Sequence, residues 1–271
     1  MKKALKIALL LIVAVLFVGE AQAQNRQKVI YLQKYTNEPY HFGFLLGLNF
    51  MDYSLHLKEN YQSVLHPQNQ CPTIPGVSES LYNQYQILSV ESAITPGFSV
   101  GVIGDKRLGE YFNLRFSPTL SLSSKFVNYE YQLYMDDEPY GEVRTLTSDD
   151  KLATFLEFPL HIKYRAKRYN NIDAYVLLGA NPKLYLGSLK KTQTDASGRP
   201  ALIQVNHTDL AFEFGGGFDI YNQWFKMGVE IKMSIGMINV LKTDALIENY
   251  FYHTAINDLR NKQLQVSFTF E

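Results

Sequence analysis

The amino-acid sequence predicts an all-β fold, namely a membrane-spanning, antiparallel, up-and-down β-barrel of about eight strands. Three observations carry this expectation. Apolar and polar residues alternate strictly along many stretches, the connectors between those stretches run long and short by turns, and the chain opens on an export signal. The clearest stretch is Phe112–Ser123. There Phe112, Leu114, Phe116, Pro118, Leu120 and Leu122 share one face, and Asn113, Arg115, Ser117, Thr119, Ser121 and Ser123 share the other. Twelve alternating residues are about twice the usual strand length of about five to six, and long enough to cross a bilayer at a tilt.

Composition narrows the class. Nineteen Tyr and 17 Phe stand beside a single Trp, an aromatic excess suited to β structure and to membrane interfaces. A formal charge of +0 argues against a nucleic-acid footprint, so no nucleic-acid partner is expected. One cysteine, Cys71, permits neither an internal disulfide nor a multi-cysteine metal site. A mean hydropathy of −0.15 is too low for a bundle of spanning helices, each of which needs about twenty apolar residues.

Residues 1–23 read as a cleaved secretory signal. Lys2, Lys3 and Lys6 precede the apolar run Ala8–Val18, and Ala21-Gln22-Ala23 supplies the small residues a signal peptidase reads. An uncleaved anchor helix is the alternative, but the apolar run is shorter than a span. No cysteine follows the cleavage point, so lipid attachment there is excluded. Of 26 basic and 26 acidic residues, three Lys and one Glu leave with the signal, so 23 remain against 25.

Residues 24–40 form an irregular periplasmic lead-in, and 41–271 form the barrel with four long loops. The first strand sets Phe42, Phe44, Leu46, Leu48 and Phe50 against His41, Gly43, Gly47 and Asn49. The second, about 94–103, sets Phe98, Val100 and Val102 against Gly97, Ser99 and Gly101. Phe112–Ser123 follows. The fourth, about 154–164, sets Leu156, Phe158, Leu160, Ile162 and Tyr164 against Glu157, His161 and Lys163. The fifth sets Ala174, Val176, Leu178, Leu184 and Leu186 against Asp173, Tyr175, Asn181, Lys183 and Tyr185. The sixth, about 209–220, alternates Leu210, Phe212, Phe214, Phe218 and Ile220 with Glu213, Gly215, Gly217 and Asp219. The seventh alternates Phe225, Met227, Val229, Ile231, Met233, Ile235 and Met237 with Lys226, Gly228, Glu230, Lys232, Ser234 and Gly236. The last, about 263–271, alternates Leu264, Val266, Phe268 and Phe270 with Gln265, Ser267 and Thr269.

The connectors are expected to run long (51–93), short (104–110), long (124–152), short (166–171), long (188–207), short (221–224) and long (238–260). Short periplasmic turns opposite long outer loops are the rule for a barrel in an outer membrane, and both termini then lie on the short-turn side. A soluble ligand carrier also has one apolar face, turned inward. Here, however, that face is bulky nearly everywhere, and an eight-strand interior lacks room for it. The polar face carries ions of both signs, among them Arg115, Glu157, Lys163, Asp173, Lys183, Glu213, Asp219, Glu230 and Lys232. Such a set neutralises itself in a closed lumen, whereas facing lipid each Lys or Arg would cost about 2–4 kcal/mol. A lumen of this size is filled by side chains and is expected not to conduct.

The chemistry-bearing motifs have structural readings. Gly97-Phe98-Ser99-Val100-Gly101 matches the G-x-S-x-G pattern, but that pattern works on a strand-to-helix turn, and here a turn and a second strand follow. Gly215-Gly216-Gly217 lacks both the spacing and the helix of a phosphate cradle. His161, with Glu157 and Lys163, reads as an interior polar cluster. Asp136-Asp137-Glu138 and Ser148-Asp149-Asp150 lack the ligand spacing of a calcium loop, and Asn206-His207-Thr208 fits a glycosylation sequon. Arg115 is expected to pair with Glu157 or Glu213. No catalytic, cofactor-binding or metal-binding residue, no cofactor and no small-molecule substrate is expected. An enzyme built on a small barrel remains an alternative.

The chain also resembles a known family, the PorT (SprT) outer-membrane proteins of Bacteroidota, which belong to the type IX protein secretion and gliding machinery. The likeness rests on His41-Phe42-Gly43-Phe44 with Gly47-Leu48-Asn49-Phe50-Met51-Asp52, on Gly109-Glu110-Tyr111-Phe112-Asn113-Leu114-Arg115-Phe116, and on Phe158-Pro159-Leu160 with Lys163-Tyr164. It continues through Tyr175-Val176 and Gly179-Ala180 to the ending Ser267-Phe268-Thr269-Phe270-Glu271. The resemblance implies a non-enzymatic outer-membrane component needed to export cargo proteins that carry a C-terminal signal, with outer-membrane lipid and other secretion components as partners.

Overall fold

Alternating side chains become alternating faces in the computed structural model, which describes residues 29–67, 82–189, 203, 205–242 and 255–271. The signal segment and Cys71 lie outside the described residues. Twelve strands form one antiparallel sheet: β1 (Tyr40–Leu57), β2 (Leu65–Pro67), β3 (Gln84–Ala93), β4 (Thr95–Arg107), β5 (Phe112–Phe116), β6 (Thr119–Met135), β7 (Glu138–Glu157), β8 (Leu160–Arg165), β9 (Ile172–Tyr185), β10 (Thr208–Tyr221), β11 (Lys226–Gly236) and β12 (Ile256–Phe270). Each strand pairs with ring neighbours, and the β9–β10 and β12–β1 pairings close the sheet into a barrel.

The strand count exceeds the expected eight for identifiable reasons. Proline has no N–H to give to a ladder, and two prolines interrupt neighbouring strands side by side. Ser117-Pro118 separates β5 from β6, and Phe158-Pro159 separates β8 from β7. The breaks face each other because Phe116 pairs with Leu160 below them and Thr119 with Glu157 above. They are stitched by bonds from Ser117 N–H to the Pro159 carbonyl (3.2 Å) and from Val102 N–H to the Pro118 carbonyl (3.1 Å). β3 and β4 likewise follow one another across Ile94. Joined end to end, β3–β4, β5–β6 and β7–β8 are single staves, and β2 is a short strand paired only to β3.

The expected long loops 51–93 and 124–152 are corrected more deeply. β1 runs on to Leu57, β3 occupies 84–93, and β6 and β7 form one long hairpin through 124–152. The hairpin turns at Asp136 (φ 51°) and Asp137 (φ 68°), the two left-handed positions a tight β-hairpin requires and that Asp tolerates. These extensions keep period two but exchange the chemistry of the faces. Along β6 the buried residues run Thr119, Ser121, Ser123 and Lys125, then Val127, Tyr129, Tyr131 and Leu133. On the outer face Leu120 and Leu122 give way to Ser124, Phe126, Asn128 and Glu130, of which Phe126 alone is apolar. The same exchange occurs on β1, where buried Asn49 is followed by Met51 and Tyr53.

The barrel therefore has two stacked interiors. The lower one is polar and ringed outside by exposed Phe44, Leu48, Phe98, Phe116, Ile162, Leu178, Phe214, Ile231 and Phe268. The upper one is an apolar core of Met51, Tyr85, Ile87, Val127, Tyr129, Tyr131, Leu133, Ile256 and Leu259. An apolar wall around a polar filling suits lipid, and the reverse suits water. At the lower rim Tyr40, Phe42, Tyr111, Phe112, Tyr164, Tyr169, Trp224 and Phe225 are exposed together, the aromatic belt of an interface.

Phe116 is 45% exposed in the middle of its stave's apolar run, while Ser117 beside it is 2% exposed. Phe116→Arg is expected to destabilise the barrel by about 2–4 kcal/mol, and Ser117→Ala by less than about 1 kcal/mol. Urea unfolding of both variants in lipid vesicles checks the assignment; equal tolerance at the two positions contradicts it.

Candidate functional site

The lower lumen concentrates the charge. Among the described residues, seven Lys or Arg and seven Asp or Glu are buried there and in the adjoining barrel interior, and Glu271 adds an eighth fully buried carboxylate side chain. The near-balance satisfies the sequence expectation that lumen ions neutralise one another. Removing charges from water is costly, and only close, hydrogen-bonded opposite charge repays it.

Arg115 is the hub, but not with the partners expected from sequence. Its guanidinium donates to Asp105 (2.9 Å), Glu230 (3.1 Å) and Glu271 (2.8 Å), and not to Glu157 or Glu213. The reason is register. β5 pairs with β4 so that Arg115 sits directly opposite Asp105, which the sequence reading left in a connector. Asn113 Nδ2 holds the other oxygen of Asp105 at 2.6 Å. Glu271, the residue after β12, lies beside Lys226, whose ammonium is 2.7 Å from it. Lys226 also reaches Asp219 at 3.3 Å, and Lys163 donates to the same carboxylate at 2.8 Å.

Tyr175 ties these pairs into one cluster, a role its polar-face position did not reveal. Its hydroxyl donates to Glu230 (2.8 Å), the Lys163 ammonium lies 3.5 Å from its ring centroid, and the Arg115 guanidinium 5.6 Å away. That ring needs a bare neighbour: a Cβ on Gly217 would stand 2.8 Å from the Tyr175 ring and hydroxyl. The glycine run 215–217 thus serves packing.

A second layer lies above. His161 bonds Glu213 at 2.8 Å rather than Glu157, and Lys232 approaches Glu213 at 3.5 Å. Asn181 donates to both Glu157 (2.9 Å) and Glu213 (2.6 Å), and Lys183 lies 3.7 Å from Glu157. Ser99 is in mid-strand, bonded to Asn49 (2.6 Å) and Ser121 (2.9 Å), with neither His161 nor a carboxylate on it. His161 and Glu157 thus share one network through Glu213 and Asn181, and Ser99 stands in another. Above them Lys125 bonds Asn261 and faces the rings of Phe155 (4.3 Å) and Tyr53 (4.5 Å). A cavity beside it measures about 10 Å³, scarcely one water.

The lower mouth is covered by the lead-in, expected to be irregular but ordered here as a 3-10 turn at Tyr35–Asn37. Tyr35 donates to Glu271 (3.2 Å), its carbonyl bonds His41 Nε2 (2.7 Å), and its ring lies 4.2 Å from that imidazole. Burial pushes the Tyr35 phenol well above its ordinary range, against the opposing pull of Lys226, so it stays a donor. Arg168 clamps the lead-in from the β8–β9 turn. It bonds the Tyr31 carbonyl and Asn171 Oδ1 (2.9 Å) and stacks 3.7 Å from the Tyr221 ring.

An apolar-walled, ion-filled, closed antiparallel barrel is the structure of an outer-membrane β-barrel protein. Comparison with known families agrees: the model of the outer membrane protein beta-barrel domain matches residues 21–242, and the chain belongs to that family. The protein therefore resides in the outer membrane. Among solved structures the chain is similar to the crystal structure of Neisserial surface protein A (NspA), at 9% identity and a TM-score of 0.40, over 86% of this chain and 98% of that one. Among curated proteins none matches in sequence.

Arg115→Met leaves three buried carboxylates without their shared cation, and breaking a buried pair costs about 3–5 kcal/mol. The variant is expected to unfold at clearly lower urea concentration than the parent, whereas the exposed Lys58→Met stays close to it. Matching midpoints for Arg115→Met and the parent would remove the hub role.

Proposed function

We propose that this outer-membrane barrel is a non-conducting, non-enzymatic component of a protein export apparatus, the type IX system implied by the family resemblance, and that it acts through protein–protein contact. The observation that carries this reading is the filled lumen. The charged side chains that could line a water path are instead buried on one another, from Glu271 and Lys226 at the lower mouth to Lys183 and Glu157 above. The Tyr35 turn covers the lower end, and the Tyr129–Leu133 core fills the upper end. A sealed barrel offers partners its outside, and the strands that rise beyond the apolar band supply a rigid wall for them.

The conduction claim is tested in planar bilayers. The purified protein is expected to give no unitary current, and steady ohmic steps would overturn the sealed-lumen reading. The export claim is tested by deletion of the gene, after which secreted proteins bearing a C-terminal signal are expected to accumulate in the periplasm. The enzyme alternative is separated by Ser99→Ala, His161→Ala and Glu157→Ala made singly. At matched barrel levels all three are expected to retain export, and a complete loss in one would favour chemistry at that residue.

A further inference from the structure

Below the ion network, at the rim of the lower mouth, lies a pocket of about 450 Å³ between the β4–β5 turn, the β8–β9 turn and the lead-in. That volume is within the range of about 300–1,000 Å³ typical of small-molecule sites. Its ionic lining is Arg107, Arg165, Lys167 and Arg168 against Glu110 and Asp173, four cations facing two carboxylates.

Two of the cations are committed to structure. Arg107 bonds the Gly109 carbonyl (2.9 Å) and Asn37 (3.3 Å), and Arg168 holds the lead-in. Asp173 is engaged by the Tyr221 hydroxyl at 2.7 Å through Oδ2, and its Oδ1 has no hydrogen-bond partner among the described residues. Arg165 is different. It is 4% exposed, and its Nε has no hydrogen-bond partner among the described residues. Arg115, Lys163, Lys183, Lys226 and Lys232, buried further inside, each face a carboxylate within 4 Å; Arg165 has none in that range among the described residues. A buried guanidinium without an anion is costly. In a barrel where five of the other six deep cations are so closely matched, and the sixth, Lys125, has Asn261 and two aromatic rings, this gap is the property of a site that takes its anion from outside. Lys167, two residues on and exposed, adds a second cation, with no hydrogen bond or ion pair among the described residues.

We propose that this pocket binds a phosphate ester, its phosphoryl oxygens held by the guanidinium of Arg165 and the ammonium of Lys167. The planar guanidinium fork matches phosphate oxygens, and a charge-assisted bond of this kind is about twice as strong as a neutral one. The volume exceeds what a bare ion fills and leaves room for an organic substituent. Tyr111 also lines the pocket, 6.2 Å from Tyr164 on the exposed aromatic belt, so the site opens at headgroup depth. A phospholipid headgroup and a soluble phosphate ester share the chemistry the site recognises.

The test uses the full chain, extracted in detergent, with two probes. Glycerol 3-phosphate is titrated by calorimetry, and phosphatidylglycerol doped into neutral micelles is counted by native mass spectrometry. At least one probe is expected to bind the parent with one-to-one stoichiometry. Arg165→Gln and Lys167→Gln are each expected to weaken that binding at least tenfold, while Lys58→Gln at the opposite end leaves it unchanged. Binding of the soluble ester assigns a soluble source, and binding of the lipid alone assigns the headgroup. Lys167 is exposed, so its variant keeps the test decisive if Arg165→Gln does not fold. No binding of either probe, or equal binding by parent and Lys167→Gln, overturns the proposal.

Discussion

The structure depends on one electrostatic constraint: ions placed inside a small closed barrel must be neutralised there, because neither lipid nor bulk water is available to do it. Arg115 is where that constraint is most concentrated. Its three carboxylates come from β4, β11 and the residue after β12, so the cluster exists only when the ring is complete. Open the barrel at any of these staves and a buried cation faces one or two carboxylates fewer, at a cost of several kcal/mol. The same side chains that would make an open sheet unstable hold the closed one together, and closure is thereby coupled to lumen chemistry.

The membrane-spanning part of this design was legible in the sequence because its information is local. Period two assigns Phe112, Phe116, Ile162 and Phe268 to lipid and Arg115, Lys163 and Ser267 to the lumen without knowledge of which strands are neighbours. Partner identity is not local. Arg115 meets Asp105 because β4 and β5 are in a particular register, and meets Glu271 because the last strand lies three staves away around a closed ring. A one-residue slip would send Arg115 to the opposite face, and no single stretch states the register. His161 illustrates the same limit: Glu157 is nearer in sequence, but Glu213 on β10 reaches it over Gly179 of the intervening strand β9.

The strands beyond the apolar band were missed for a different reason. Their alternation continues from Val127 to Tyr131, with Asn128 and Glu130 opposite, before a register shift buries Gln132 beside Tyr131 and Leu133, and it carries the inverse meaning. Polar side chains stand where the lower part of the stave carries large apolar ones, so the stretch has the composition of a loop. The change of environment at Lys125, not a change of secondary structure, is what the sequence records there.

That inversion also decides where recognition can occur. In the lipid-facing half the outer wall is spent on hydrocarbon and the inner one on ion pairing. In the upper half the inner wall is spent on an apolar core, and the outer wall faces water with the polar groups of β6 and β7 free to meet other molecules. Because the β6–β7 hairpin continues staves already anchored by the ion network, a partner binding there engages a surface fixed before it arrives and pays little ordering entropy. Filling the lumen with paired ions and extending the strands therefore act together: the ion network that closes the barrel also anchors the β6–β7 hairpin as a rigid post above it.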